Sequence, residues 1–142
     1  MEFHTRHINR LQFPSKHIVV CEDDIDNQVK MVQSLRKFFP PQGDVQIDFV
    51  CSAMGAAAIV SNMKVNLIIL DHDMPYGSGS ELIRFLKETG KTIPVITASG
   101  IPENNTNMKK LGDDLGYPVH EFHKEDVFNL KIRDVIKSAL YG

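Results

Sequence analysis

The chain has 142 residues, of which 42% are hydrophobic and 24% are charged, as in ordinary globular proteins. This length fits one domain that can bury a core of its own. The formal net charge of -2 argues against a general nucleic-acid or membrane-surface binder, which would carry an excess of basic residues. No apolar run is long enough to span a bilayer, and the N-terminus lacks a signal-peptide core. We therefore expect a cytoplasmic protein whose partners include neither nucleic acid nor membrane.

The first part of the chain is less regular than the rest. Residues 1–15 combine scattered apolar residues with histidines and arginines, and Pro14 ends the segment. Terminal stretches of this kind become ordered only when they dock on the neighbouring domain. We expect residues 1–15 to form an N-terminal arm or a short extra helix, and residues 16–142 to form the main domain.

From His17 onwards, short apolar runs alternate with stretches that carry apolar residues at helical spacing. The apolar runs predict five strands, at about residues 18–21, 45–51, 67–70, 94–98 and 119–123. A helix is predicted after each strand, at about residues 25–39, 53–63, 78–86, 102–116 and 128–139. Strict alternation indicates one parallel sheet with helices on both faces. We predict an α/β fold with a doubly wound five-stranded parallel sheet of order 2-1-3-4-5, a flavodoxin-like three-layer sandwich.

The two cysteines, Cys21 and Cys51, show neither the spacing of metal ligands nor a disulfide framework. Each ends a predicted strand, where a small apolar side chain packs well. We expect both to be buried, reduced thiols.

The third predicted strand is the most apolar and ends in a carboxylate. Leu67–Leu70 is a run of branched apolar residues, typical of a strand buried on both faces. The run stops at Asp71, and Pro75 and Gly77 then indicate a loop. Open α/β sheets bind their ligands at the carboxyl ends of central strands, which makes Asp71 a candidate site residue. A turn or helix-capping aspartate is the structural alternative.

Polar side chains also follow the other strands of the predicted sheet. They are Glu22 and Asp23 after strand one, Asp71 after strand three, Ser99 after strand four and Lys124 after strand five. In a sheet of order 2-1-3-4-5 these positions converge on one crevice. The clustered carboxylates would repel one another, and the positive charge of a divalent cation removes that penalty. Oxygen ligands together with retained water suit Mg²⁺. A metal, an acidic nucleophile, an ammonium and a hydroxyl around one space indicate a phosphoryl site.

Four motifs together resemble the receiver domain of two-component response regulators over about residues 16–141. They are Val-Val-Cys-Glu-Asp-Asp, Ile-Ile-Leu-Asp-x-x-Met-Pro-x-x-x-Gly, Pro-Val-Ile-x-x-Ser-Gly and the later lysine. The resemblance implies that Asp71 is the phosphoacceptor in a phosphorelay. A histidine kinase or a histidine phosphotransfer protein would then be the phosphoryl donor, and Mg²⁺ would be the cofactor.

The resemblance also assigns the remaining site residues. Asp23 would bind Mg²⁺ directly and Glu22 through water, with Asp71 and the backbone carbonyl of Asp73 completing the protein ligands. Ser99 and Lys124 would contact the phosphoryl oxygens. Asp24 competes with Asp23 for this register, because both follow the first strand closely.

A receiver works as a switch rather than as an enzyme, with at most self-phosphorylation and self-dephosphorylation. The resemblance implies that Ser99 moves inward after phosphorylation and that helix four repacks, changing a surface that an unidentified downstream protein binds. The two forms of this surface must differ in free energy by only a few kcal/mol, so that the contacts made by the phosphoryl group can invert their populations. Because the sequence ends with the fifth helix, we expect a single-domain, stand-alone regulator of the chemotaxis type.

Two glutamates depart from the family pattern. Glu125 stands where receivers usually have a proline, and Glu121 stands where they usually have the aromatic residue that takes part in switching. A glutamate cannot bury inward as an aromatic ring does. The alternative reading is therefore a degenerate receiver, an interaction module that works without phosphorylation.

A third hypothesis is a haloacid-dehalogenase-like phosphohydrolase. Asp71-x-Asp73 mimics the nucleophile and acid/base pair of that class, and Gly112-Asp113-Asp114 mimics its metal motif. Against this hypothesis, the nucleophile motif of that class normally lies at the first strand, and it carries Thr or Val where this chain has Pro75. In addition, Gly112-Asp113-Asp114 falls within a predicted helix. Motif matches of this kind need the right structural context.

Overall fold

A computed structural model describes residues 16–40, 43–71, 79–99, 101–122 and 132–142. Strands and helices alternate along these ranges, as the sequence predicts. The strands are β1 (Lys16–Cys21), β2 (Val45–Val50), β3 (Leu67–Leu70), β4 (Val95–Thr97) and β5 (Val119–Glu121). The helices are α1 (Ile25–Phe38), α2 (Ala53–Asn62), α3 (Gly79–Glu88), α4 (Pro102–Leu115) and α5 (Arg133–Tyr141).

The five strands form one parallel sheet in the order β2-β1-β3-β4-β5. The strand β1 pairs with β2 on one side and with β3 on the other, so Val20 lies beside both Phe49 and Ile69. The chain therefore reverses its direction of winding between β2 and β3. This reversal opens a crevice at the carboxyl ends of β1 and β3, where such sheets bind ligands. The predicted fold class and strand order are confirmed.

Helices cover both faces of the sheet because successive strand residues point to opposite sides. Ile18 and Val20 pack on one face with α1 and α5, whereas Val19 and Cys21 pack on the other with α2, α3 and α4. All four side chains are fully buried or nearly so. Within the described ranges, no helix has both the length and the apolar character that crossing a membrane requires.

The expectation for the two cysteines is correct for Cys21 and wrong for Cys51. Cys21 is buried, whereas Cys51 is exposed. The physical reason is the length of β2, which ends at Val50 and leaves Cys51 in the bend that leads to α2. Residues 1–15 and the predicted helix starts at Ser78 and Phe128 lie outside the described residues.

Tyr117 joins the end of α4 to the segment before β4, and its loss gives a measurable prediction. The Tyr117 hydroxyl donates to the carbonyl oxygen of Ile93 at 2.6 Å and accepts from the Ile93 N–H at 2.8 Å. Burial raises the pKa of Tyr117 to about 12, so the hydroxyl stays protonated at neutral pH. Because Tyr117→Phe leaves two buried backbone groups without this partner, we expect a loss of about 1–3 kcal/mol in urea unfolding.

Tyr141→Phe is the matched control for this loss. The Tyr141 hydroxyl also makes a hydrogen bond, to the Asp44 carboxylate at 3.0 Å, but it lies on the surface. Water can replace that bond, so the change should stay within about 0.5 kcal/mol. Equal effects of the two substitutions would contradict a specific role for the Tyr117 hydroxyl.

Candidate functional site

The site begins where the backbone bonds of the sheet continue past the ends of the strands. The Glu22 N–H donates to the Val50 carbonyl at 3.0 Å, and the Asp71 N–H donates to the Cys21 carbonyl at 3.0 Å. The Ala98 N–H donates to the Leu70 carbonyl at 3.0 Å in the same way. Residues that are far apart in the sequence are therefore held side by side at one edge of the sheet.

Three of the predicted acidic side chains meet at this edge. One carboxylate oxygen from each of Glu22, Asp23 and Asp71 lies within 4.8 Å of the others. Glu22 is 1% exposed and Asp71 is 5% exposed, whereas Asp23 lies on the surface. The cluster thus combines two buried carboxylates with one that is exposed.

The Cys21 thiol lies beside this cluster, and its pKa is shifted. Burial, with a further contribution from the charge of Asp71, raises the pKa of Cys21 to about 12. Cys21 therefore stays a neutral thiol at physiological pH and is a packing residue rather than a nucleophile.

The start of α1 decides which aspartate joins the cluster. Asp24 is the N-cap of α1, and its carboxylate accepts from the Asn27 N–H at 3.1 Å. Glu22 is also bonded to α1 and its cap: its carbonyl accepts from the Gln28 side chain at 2.6 Å, and its carboxylate accepts from the Asp24 N–H at 3.4 Å. The structure therefore places Asp23 in the carboxylate cluster and Asp24 at the helix cap.

The donor set fits a small divalent cation. Carboxylate oxygens are hard ligands, and Mg²⁺ is typically held by one or two carboxylates together with retained water and phosphate oxygens. Such an ion would offset the repulsion between the three clustered carboxylates. Glu22, Asp23 and Asp71 are the residues of the described chain that would hold it.

The different positions of Asp23 and Asp24 predict different effects of substituting each of them. Asp23→Asn removes a charge from the cluster and should weaken Mg²⁺ binding on the order of tenfold or more. Asp24→Asn should leave Mg²⁺ binding unchanged, because asparagine caps a helix about as well as aspartate. Isothermal titration of both variants with Mg²⁺ measures the difference, and the reverse order would show that Asp24 is the metal ligand.

Ser99 lies at the end of the neighbouring strand and is fully buried. Its hydroxyl oxygen accepts from the Ile101 N–H at 3.0 Å. Its backbone is held by Asn105 in the first turns of α4, which accepts from the Ser99 N–H at 2.8 Å and donates to the Ser99 carbonyl at 2.9 Å. Asn105 was not among the predicted site residues.

Glu121 occupies an exposed position on β5 and is held by α4. The Thr106 hydroxyl donates to the Glu121 carboxylate at 3.1 Å. This position carries the aromatic switch residue in the family pattern, and the glutamate here lies on the surface as expected from its charge.

The predicted site residues Asp73 and Lys124 lie outside the described residues, as does Glu125, which differs from the family pattern. The segment that mimics the phosphohydrolase metal motif is described, and Gly112-Asp113-Asp114 lies in the last turns of α4. Gly112 packs against Val119, the first residue of β5, at the opposite edge of the sheet from Asp71. The structure does not bring this motif into the carboxylate cluster.

Comparison with known proteins gives the class of protein that this fold and site define. A family model for the response regulator receiver domain matches residues 18–116, which is more than half of the chain. The protein belongs to the response regulator receiver domain family, whose fold is that of a signalling switch. The matched range ends before Glu121, Lys124 and Glu125.

Two curated relatives are similar to parts of the chain. The chain is 30% identical over 118 residues to a probable cyclic di-GMP phosphodiesterase of Vibrio cholerae, covering 82% of this chain and 25% of that protein. It is 32% identical over 84 residues to the TorCAD operon transcriptional regulatory protein TorR of Escherichia coli, covering 59% of this chain and 34% of TorR. The chain thus spans about a quarter to a third of the length of these curated relatives.

Solved structures show the same fold. The receiver domain of the TMAO respiratory system response regulator TorR superposes with a TM-score of 0.62 at 26% identity, covering 87% of this chain and 92% of that one. The Mn²⁺-bound form of response regulator Rcp1 superposes with a TM-score of 0.66 at 21% identity, with the same two coverages.

Proposed function

We propose that the protein is a phosphorelay receiver that accepts one phosphoryl group on Asp71 in the presence of Mg²⁺. The donor in this proposal is a histidine kinase or a histidine phosphotransfer protein. The observation that carries the proposal is the cluster of Glu22, Asp23 and Asp71 at the carboxyl edge of the sheet. Its members come from two strand ends, and their charges are costly to hold together unless a cation is bound.

The chemistry proposed for Asp71 is the transfer of a phosphoryl group to a carboxylate oxygen. The nitrogen–phosphorus bond of a phosphohistidine breaks, and an oxygen–phosphorus bond to Asp71 forms. The imidazole keeps the bonding electron pair, and the product is an acyl phosphate. A bound Mg²⁺ would neutralise charge on the transferring group. Water later attacks the phosphorus, which restores Asp71 and releases inorganic phosphate.

Ser99 and Lys124 are proposed to hold the phosphoryl oxygens. A hydroxyl donor and an ammonium both stabilise the negative charge that the acyl phosphate adds. Ser99 shares bonds with Ile101 and Asn105, so its movement would change the start of α4. In this proposal a downstream protein binds the face formed by α4 and β5, and phosphorylation changes its affinity for that face.

A second candidate is an interaction module that works without phosphorylation. The specific observation in its favour is Glu121, which lies on the surface and bonds to Thr106 instead of supplying a buried aromatic ring. The carboxylate cluster argues against it, because a module without phosphate or metal gains nothing from three crowded charges.

Intact-mass spectrometry tests the proposal directly. The protein is incubated with acetyl phosphate in Mg²⁺ and, separately, in EDTA. We expect the mass of one added phosphoryl group with Mg²⁺, its removal by hydroxylamine as for an acyl phosphate, and no addition in EDTA. An unmodified protein that also shows no Mg²⁺ affinity would favour the interaction module, whereas sustained phosphate release from small phosphomonoesters would favour a phosphohydrolase.

A further inference from the structure

We infer that Asn105 is a positioning residue that holds Ser99 in the place from which it meets the phosphoryl group on Asp71. The inference rests on the proposed function, because it assigns Ser99 the task of contacting that group. The inference goes beyond the proposed function because it adds a residue of α4 that supports Ser99 and connects the site to this helix.

Asn105 is 2% exposed, whereas its neighbours Thr106 and Asn107 on the same helix are exposed. Its side-chain oxygen accepts from the Ser99 N–H at 2.8 Å and from the Thr97 hydroxyl at 2.9 Å. Its side-chain nitrogen donates to the Ser99 carbonyl at 2.9 Å. The amide therefore bonds to both backbone groups of Ser99, much as a neighbouring strand would.

An amide is the side chain that this arrangement requires. It presents one acceptor and one donor group close together, which match the N–H and the C=O of a single residue. Aspartate lacks the donor, and leucine or alanine lacks both groups. A buried polar side chain is tolerated only when its bonds are satisfied, and here those bonds go to the strand end that carries Ser99.

The bonds fix the backbone of Ser99. With its N–H and C=O both held, this backbone has little freedom to shift, so the side chain starts from one place at the edge of the sheet and turns towards a phosphoryl group only by rotation about its Cα–Cβ bond. A misplacement of about 1 Å in a positioned group costs on the order of a hundredfold in rate. Loss of the Asn105 amide should therefore impair phosphorylation without any change at Asp71.

Hydrogen exchange tests the positioning without any phosphoryl donor. Asn105→Ala removes the acceptor of the Ser99 N–H, so exchange of that amide should accelerate roughly tenfold or more. Asn107→Ala is the matched control, since Asn107 is an exposed asparagine on the same helix, and it should leave the Ser99 amide protected. An unchanged Ser99 exchange rate in Asn105→Ala would overturn the inference.

Phosphorylation by acetyl phosphate tests the consequence. Thr97→Val removes another bond of Asn105 while leaving the two bonds to Ser99, so it controls for loss of stability. We expect initial rates roughly ten to a hundred times slower in Asn105→Ala, and wild-type rates in Thr97→Val and Asn107→Ala. Equal rates in Asn105→Ala and Thr97→Val would show that Asn105 is only structural.

A nearly isosteric variant keeps the test decisive if Asn105→Ala does not fold. Asn105→Asp retains the acceptor for the Ser99 N–H and loses the donor to the Ser99 carbonyl. We expect the Ser99 amide to stay protected while phosphorylation slows, and wild-type phosphorylation would overturn the inference. If the wild-type protein takes no phosphoryl group, the proposed function fails, and the exchange rates alone then report whether Asn105 holds Ser99.

Discussion

Replacing Asp71 by asparagine is expected to abolish phosphorylation by acetyl phosphate or by a phosphohistidine donor. The asparagine amide is nearly isosteric with the carboxylate but has no anionic oxygen to attack phosphorus. The two other clustered carboxylates, Glu22 and Asp23, cannot take over, because the proposed site has them hold the metal. Intact-mass spectrometry in Mg²⁺ should therefore show only the unmodified mass of the variant.

The same substitution should not destabilise the protein. Asp71→Asn removes one of three negative charges whose oxygens lie within 4.8 Å of one another. Relief of this repulsion should raise the free energy of unfolding in EDTA by ~1 kcal/mol, given a moderate local dielectric. Mg²⁺ should stabilise the wild type more than the variant, because ligand binding to the native state adds to its stability. Urea unfolding with and without Mg²⁺ measures both effects.

Asp24→Asn is the matched control for Asp71→Asn. It makes the same chemical change close to the cluster, but Asp24 caps α1 and lies outside the group of three. Its phosphorylation and its response to Mg²⁺ should equal those of the wild type. Phosphoryl incorporation into Asp71→Asn would contradict the assignment of Asp71 as phosphoacceptor, and its loss in Asp24→Asn would contradict the exclusion of Asp24 from the site.

The fold and the carboxylate cluster follow from local sequence patterns. A run such as Leu67–Leu70 predicts a buried strand, and the residue that follows such a run marks the end of that strand. Parallel strands joined by right-handed crossovers bring these ends to one edge, which places Glu22 near Asp71. Which of Asp23 and Asp24 joins the cluster could be decided only from the helix cap, because both residues follow the end of β1 by two or three positions.

Asn105 shows what a local pattern misses. An asparagine-rich stretch before Met108 predicts a polar first turn, and the helical spacing places both Asn104 and Asn105 on the face of Met108 without choosing between them. The structure buries Asn105 because the first turns of α4 lie against the residues just past β4, where the Ser99 N–H and C=O both bond to its amide. A partial signal was present in the spacing: Asn105 precedes buried Met108 by three residues, so the two share one face of the helix.

The bond between Thr106 and Glu121 was equally out of reach from the sequence. The two residues are fifteen positions apart, and they meet because α4 packs beside β5. The pattern indicated only that a charged residue replaces an aromatic one. Tertiary packing decides that this glutamate bonds to the helix that follows Ser99.

Gly112→Ala is expected to destabilise the protein strongly, although alanine favours helices. A Cβ at Gly112 would lie 2.5 Å from Val119 Cγ2, 2.8 Å from Val119 Cβ and 2.9 Å from the backbone oxygen of Tyr117. These contacts are shorter than packed atoms allow, and two of them involve atoms that no rotation of a side chain can move away. Overpacking of this kind costs about 1–3 kcal/mol and occasionally more, so it should exceed the gain in helix propensity.

The loss has a specific cause that a second substitution can test. Gly112 lies one turn before Gly116, whose left-handed backbone (φ 68°) ends α4 and turns the chain into β5. Because that turn fixes the distance between α4 and β5, the helix cannot move away to accept a methyl group. Val119→Ala removes the nearest of the clashing atoms, and we expect it to restore part of the stability that Gly112→Ala loses.

Asp114→Ala is the matched control on the same helix. Asp114 is exposed, so the same product residue there should change the free energy of unfolding by no more than about 0.5 kcal/mol. Urea unfolding of the single and double variants gives the coupling between positions 112 and 119. Additive losses from Gly112→Ala and Val119→Ala would contradict a steric origin. Wild-type stability in Gly112→Ala would mean that α4 can slide on β5, a freedom that would suit a helix repacked by phosphorylation.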